Sequence, residues 1–160
     1  AGLCPADAER LAPAVLLRLA ALAADRTAPE RLAGDRAALE RLLAAAPAAH
    51  TLAELFGAAA SKRTTDASLR RAALYALLGT TADEIAAPVA YTRLLAANAR
   101  GCAALGGARG GFVLTKPADA AKLRDSGAQF AKTATAERAF ALCFAGKYDY
   151  LRTSPTIVRD

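Results

Sequence analysis

Leucine recurs at helical spacing in a chain rich in alanine, and this pattern restricts most of the sequence to helices. Leu11, Val15, Leu19 and Leu22 fall on one helical face, with Asp7 placed to cap the first turn. Thr27-Ala28-Pro29-Glu30 combines capping-box spacing with an early proline and predicts a second helix start. Gly34-Asp35 breaks and restarts the chain ahead of a stripe of Leu39, Leu42 and Leu43. Thr51-Leu52-Ala53-Glu54 repeats the capping box before Leu55 and Phe56. The loop Ser61-Lys62-Arg63-Thr64-Thr65 leads into a helix predicted over 66–78 and stopped by Gly79. Thr81-Ala82-Asp83-Glu84 opens a further short turn that Pro88 ends.

Beyond Pro88 the pattern changes. Residues 91–96 read as a short strand, 98–105 as an alanine-rich helix, 106–111 as a glycine-rich loop and 112–114 as a buried strand. These form a parallel β-α-β unit with a right-handed crossover. Pro117 takes the N1 position of a helix reaching Leu123, and a last helix is predicted over 135–144, before an extended, tyrosine-rich tail to Asp160. The fold class is therefore mainly α with a small α/β unit. A helical subdomain occupies 1–88, followed by a small α/β subdomain over 89–160 with its short parallel β-α-β and C-terminal helix. There is no internal repeat and no long linker.

Composition sets the limits on function. Alanine holds 46 of 160 positions and buries little area, so the core is expected from 23 leucines with Val, Ile, five Phe and four Tyr. No run of 18 apolar residues lacks a charge, which excludes a helical membrane span, and no leader pattern opens the chain. The sequence has no methionine, not even at position 1, so a processed start or a piece of a longer protein is expected. Cys4, Cys102 and Cys143 are odd in number and in no metal spacing, as in a reduced, cytoplasmic protein. His50 is the single histidine, which excludes HxGH, HExxH and any His-paired metal site within this sequence. Asp83 and Glu84 are explained by their capping box without catalysis.

The net charge of +6 comes from 16 Arg and 5 Lys against 15 acidic residues. Arginine suits bidentate contacts to phosphate, while GC-rich codon usage raises Arg and Ala together; composition leaves both readings open. Position is more informative. Lys62, Arg63, Arg70 and Arg71 against Asp66 give +3 over ten residues at a helix start, an arrangement suited to phosphates. Arg70 falls within the apolar arc of Leu69, Ala73, Leu74, Leu77 and Leu78, so it must snorkel, pair with a carboxylate, or face an anion-binding groove. Thr115-Lys116-Pro117-Ala118-Asp119 runs from a strand into a helix N-terminus and is either a ligand-binding edge or a plain cap with Lys116 in solvent. Residues 106–111 fail the P-loop test, because Phe112-Val113 stands where Lys-Ser/Thr is required, and Arg109 is either a backbone contact or part of a helix stop. Lys147-Tyr148-Asp149-Tyr150-Leu151-Arg152 either contacts single-stranded nucleic acid or packs back on the domain.

Several segments, in order, resemble the C-terminal region of bacterial tRNA(Met) cytidine acetate ligase, a nucleotidyltransferase-like protein family. They are Leu52-Ala53-Glu54-Leu55, the 61–65 loop, and Leu69-Arg70-Arg71 running to Leu77-Leu78-Gly79. Downstream, Tyr91-Thr92-Arg93-Leu94-Leu95 with Asn98 and Gly101, then Val113-Leu114-Thr115-Lys116, look like the family's strand, turn and Leu-Pro-x-x-Thr-Lys segment. Ala139-Phe140-Ala141-Leu142, Tyr150 and Ser154-Pro155 echo its closing helix and tail. The likeness covers about residues 30–158. Thr64, Ala97 and Arg138 depart from the pattern, standing where the family has Tyr, Phe and Asp.

The resemblance implies a C-terminal domain of a longer ligase. That parent activates acetate with ATP as acetyl-adenylate and acetylates N4 of the wobble cytidine of elongator tRNA(Met). ATP belongs to an N-terminal nucleotidyltransferase domain with an HxGH-type motif, which this sequence does not contain; the chain by itself is expected to need no cofactor and to be catalytically inert. Its implied partners are tRNA and that N-terminal domain, with Lys62, Arg63, Arg70 and Arg71 on phosphates and Lys116 as a secondary contact. The rival expectation is a structural or dimerisation module bracing a nucleotidyltransferase domain without RNA contact. A third is a stand-alone enzyme using the Thr115-Lys116 edge as a nucleotide site.

Overall fold

A computed structural model of the chain describes residues 7–25, 27–107, 113–116, 119, 127–144 and 156–157. Capping chemistry sets most helix starts. Asp7 accepts the N–H of Glu9 and opens a 3-10 turn, Ala8–Leu11, that runs straight into α1 (Ala12–Ala23). α2 (Ala28–Arg31) departs from the expected capping box. Thr27 makes no cap bond; instead its hydroxyl and N–H both donate to Asp25, which also pairs with Arg31. Gly34, at φ 101°, turns the chain in a conformation that disfavours side chains, and Asp35 then caps α3 (Arg36–Ala45).

α4 (Leu52–Ala59) has the Thr51 cap but not the reciprocal half. Glu54 accepts the N–H of His50, while Glu9, 43 and 44 residues away in sequence, takes the N–H groups of Leu52 and Ala53. α5 (Asp66–Leu78) has the bounds expected. Thr65 caps its start, and Gly79 ends it in the left-handed conformation with a Thr80 N–H to Tyr75 carbonyl bond of 2.9 Å. In α6 (Ala82–Ala86) Thr81 and Glu84 form the full reciprocal box.

These helices share one core, in the unit made of Ala1–Ala87 and Leu142–Gly146. Leu19, Leu42, Leu55 and Leu69 are its largest fully buried side chains. Alanine contributes more than expected: eight alanines stand beside eight leucines in the buried cluster, while Phe56 and Phe144 only flank it. The buried face of α5 is Leu69, Ala72, Ala73 and Ala76 rather than the arc through Leu74, Leu77 and Leu78. α1 and α3 both pack on α5, and small side chains at the crossings let the backbones approach closely.

Pro88–Ala141 and Lys147–Asp160 form a second unit. The strand expected over 91–96 is two separate strands with different partners. β1 (Thr92–Arg93) and β2 (Ala96–Ala97) precede α7 (Ala99–Gly107), β3 (Val113–Leu114), α8 (Gly127–Leu142) and β4 (Thr156–Ile157). β1 pairs in parallel with β3, with Thr92 opposite Val113, and the Leu94 N–H to Leu114 carbonyl bond of 2.9 Å extends the ladder. β2 pairs in parallel with β4. β1, α7 and β3 thus make the expected parallel β-α-β. Gly106 and Gly107 lie in the last turn of α7 rather than in a loop.

α8 begins eight residues before the expected start at Thr135. Its threonines do not break it, because the Thr133 and Thr135 hydroxyls donate to the Gln129 and Ala131 carbonyls one turn back. The expected helix from Pro117, Arg109 and the tail segment 147–152 lie outside the described residues. Among the described residues no helix is long and apolar enough to cross a membrane.

Candidate nucleic-acid interface

The turn between α4 and α5 is rigidly built. Ser61 Oγ accepts the N–H groups of Arg63 and Thr64, at 3.3 and 3.1 Å, and Ser61 and Thr64 form an antiparallel bridge. Thr64 is buried, which anchors the turn and leaves Lys62 and Arg63 exposed at its tip. Thr65 then fixes the start of α5 by accepting the Ser68 N–H. The sequence motif therefore delivers two cations on a short, internally hydrogen-bonded turn rather than on a floppy loop.

Arg70 and Arg71 lie one turn into α5 and are exposed. Of the three fates open to Arg70, it takes the carboxylate: its Nε donates to Asp66 at 2.6 Å, four residues earlier. Its guanidinium also lies 5.0 Å from the centroid of the Phe56 ring on α4, a cation–π distance. The expected net charge is thus redistributed. Arg70 is held by Asp66, whereas Lys62, Arg63 and Arg71 take no part in any ion pair among the described residues.

Arg41 is a basic residue that the local sequence does not signal. It reaches 18 and 19 residues along the chain to donate to the Ala59 and Ala60 carbonyls, closing the C-terminal end of α4. Arg41, Glu40, Ser61, Arg63 and Thr64 line an open cleft of about 360 Å³ beside the turn. Arg63 therefore faces a concave surface with a second guanidinium in its wall.

Lys116 belongs to the second unit and is exposed on the turn after β3. Asp119 organises that turn, accepting from the Lys116 N–H and the Thr115 hydroxyl, both at 3.2 Å. Thr115 thus acts as a donor to Asp119 rather than as an acceptor of helix N–H groups, and the helix it was expected to cap lies outside the described residues.

Residues 17–153 match the family model described as HIGH Nucleotidyl Transferase. The chain belongs to that family. In fold it is similar to Thermotoga maritima TmcAL bound with alpha-thio ATP, at 15% identity and a TM-score of 0.76, covering 95% of this chain and 42% of that one. It is also similar to the apo form of Thermotoga maritima TmcAL, at 15% identity and a TM-score of 0.70, covering 95% of this chain and 41% of that one. No curated protein sequence matches. The chain spans about two fifths of the length of these solved structures.

The sequence contains no HxGH motif. An HxGH motif needs two histidines, and His50 is alone; it is exposed at the start of α4, with its N–H on Glu54. Cys143 is buried, which pushes its thiol pKa up and away from nucleophilic use, and Asp7 adds to the shift. Among the described residues, no group of three or more His, Cys, Asp or Glu could hold a metal ion.

Proposed function

We propose that this chain is the C-terminal, tRNA-docking part of a tRNA(Met) cytidine acetate ligase-like protein. The parent activates acetate with ATP and acetylates N4 of the wobble cytidine. ATP binding and adenylation reside in its N-terminal nucleotidyltransferase domain, and docking of the cytoplasmic tRNA resides here. The observation that carries the reading is the braced turn with Lys62 and Arg63 exposed at its tip and Arg71 exposed on the helix that follows. Rigid placement reduces the ordering cost of binding, and cations released from other ion pairs are available to phosphates. Arg70 contributes while shared with Asp66, and Lys116 is a secondary contact on the other unit. The fold likeness to TmcAL supports the choice of parent.

Fluorescence anisotropy with labelled tRNA tests this directly. The double variant Lys62→Glu/Arg63→Glu should bind more weakly, and its dependence on log salt should flatten by about two counterions. An unchanged affinity and slope would sink the docking role.

A bracing or dimerisation module is the second reading, favoured by Leu17 and Leu74, which are 74% and 48% exposed on the packed helices α1 and α5. Light scattering separates the two: a tight dimer indifferent to tRNA supports the module.

A further inference from the structure

In the second unit, β1 and α8 line an open groove of about 510 Å³ that carries three aromatic rings, Tyr91, Phe130 and Phe140. Tyr91 and Phe130 stand with ring centroids 5.6 Å apart and tilted by 58°, while Phe140 and Leu95 remain 47% and 66% exposed on the lining. Large apolar side chains left in water at a concave surface mark a recognition site more often than a structural one. The same groove contains an ion pair. Arg93 Nη1 lies 3.3 and 3.4 Å from the two Glu137 carboxylate oxygens, and both side chains are largely withdrawn from solvent, at 16% and 27% exposure.

That combination selects a class of ligand. Flat π surfaces favour a planar ring, which stacks without regard to sequence. Glu137, on the groove lining, accepts only from one nitrogen among the described residues, and at long distances, so its carboxylate retains acceptor capacity. A planar ligand carrying an amino group satisfies both features. An aliphatic ligand would lack a stacking face, and an acidic one would meet the carboxylate with like charge.

We infer that the groove between β1 and α8 receives an unstacked nucleobase of single-stranded RNA, stacked on the aromatic wall with an exocyclic amino group donated to Glu137. The inference rests on the RNA-docking reading but assigns a different surface, and one that supplies base preference rather than phosphate affinity. Adenine, cytosine and guanine carry the amino group and uracil does not. Base preference is therefore built into the groove.

The test uses the full chain and short homopolymers of adenylate, cytidylate and uridylate, with binding followed by fluorescence anisotropy. The wild type should favour the adenylate and cytidylate oligomers over uridylate. Phe140→Ala, at an exposed position, should weaken all three by about tenfold, within the range for one lost stacking contact. Glu137→Gln, with circular dichroism checking the fold, should shrink the preference against uridylate while leaving stacking affinity in place. Equal binding of all three oligomers by the wild type, or unchanged affinities in Phe140→Ala, would overturn the groove. If Lys62→Glu/Arg63→Glu still weakens tRNA binding in that case, the docking reading stands without it. If instead only the groove variants alter binding, the groove stands and the basic turn does not. Concentration-dependent dimerisation abolished by Phe140→Ala, with RNA binding unchanged, would assign the surface to a second copy and also overturn the inference.

Discussion

The two units spend their apolar side chains differently. In the first, eight leucines and eight alanines from successive helices interlock in a buried cluster, and its cations sit on the outside. In the second, only Leu114 and Ala134 are buried among the described residues, while Val89, Leu95 and Phe140 face solvent. The first unit buries its hydrophobicity and leaves its charge on the surface. The second leaves large apolar side chains exposed and withdraws a charged pair, Arg93 and Glu137, from water. The two units should therefore respond differently to truncation of their apolar side chains.

The largest effect should come from the helical core. Leu42→Ala or Leu55→Ala removes a side chain with no exposed surface and should cost about 2–5 kcal/mol, whereas Leu95→Ala should change stability by less than about 1 kcal/mol. Urea denaturation of the three variants measures the contrast; equal losses would erase the distinction between the units.

Backbone geometry comes next. Gly34 has φ 101°, and an added Cβ would stand 3.0 Å from the Tyr75 ring. Gly34→Ala should destabilise by roughly 1–3 kcal/mol, read as a drop in the urea midpoint. Local capping should matter less. Thr81→Ala removes one half of the only reciprocal capping box among the described helices and should cost about 1 kcal/mol.

The smallest effect is a pH dependence. The Thr27 hydroxyl and N–H, with Arg31, hold the Asp25 carboxyl below its ordinary range. The folded state thus favours the ionised form, and its contribution is present above the ordinary carboxyl value and is lost as pH falls from there through the lowered folded-state value. Asp25→Asn should flatten that acid limb slightly in thermal melts recorded from neutral pH downward. An identical pH profile in the variant would remove Asp25 as a contributor.

Legibility of the fold tracked the range of the interactions involved. α5 has the bounds read from Thr65, Asp66 and Gly79, because its cap and its stop are formed by neighbours in sequence. The α4 start was only half legible: Thr51 caps the Glu54 amide locally, but Glu9 takes the Leu52 and Ala53 amides across 43 and 44 residues. α8 starts eight residues before the expected Thr135, and the Thr133 and Thr135 hydroxyls within it bond to carbonyls one turn back. In the candidate interface, Lys62, Arg63, Arg70 and Arg71 stood out as a run of charge, and a carboxylate partner was one of three fates open to Arg70, but its contact with the Phe56 ring gave no signal. Arg41 and the groove around Glu137 carried no local signal at all, since their partners come from elements far apart in the chain.

The sequence by itself determined a mainly helical chain, its principal caps and stops, a basic run at one helix start, and the lack of histidines for HxGH chemistry. These depend on spacing and composition, which act over a few residues. Tertiary structure decided which face of α5 is buried and which arginine is already paired. It also decided that Tyr91, Phe130, Phe140 and Glu137 line one groove. Those outcomes depend on how closely alanine-faced helices approach and on which distant side chains meet, and neither is written in any local stretch of residues.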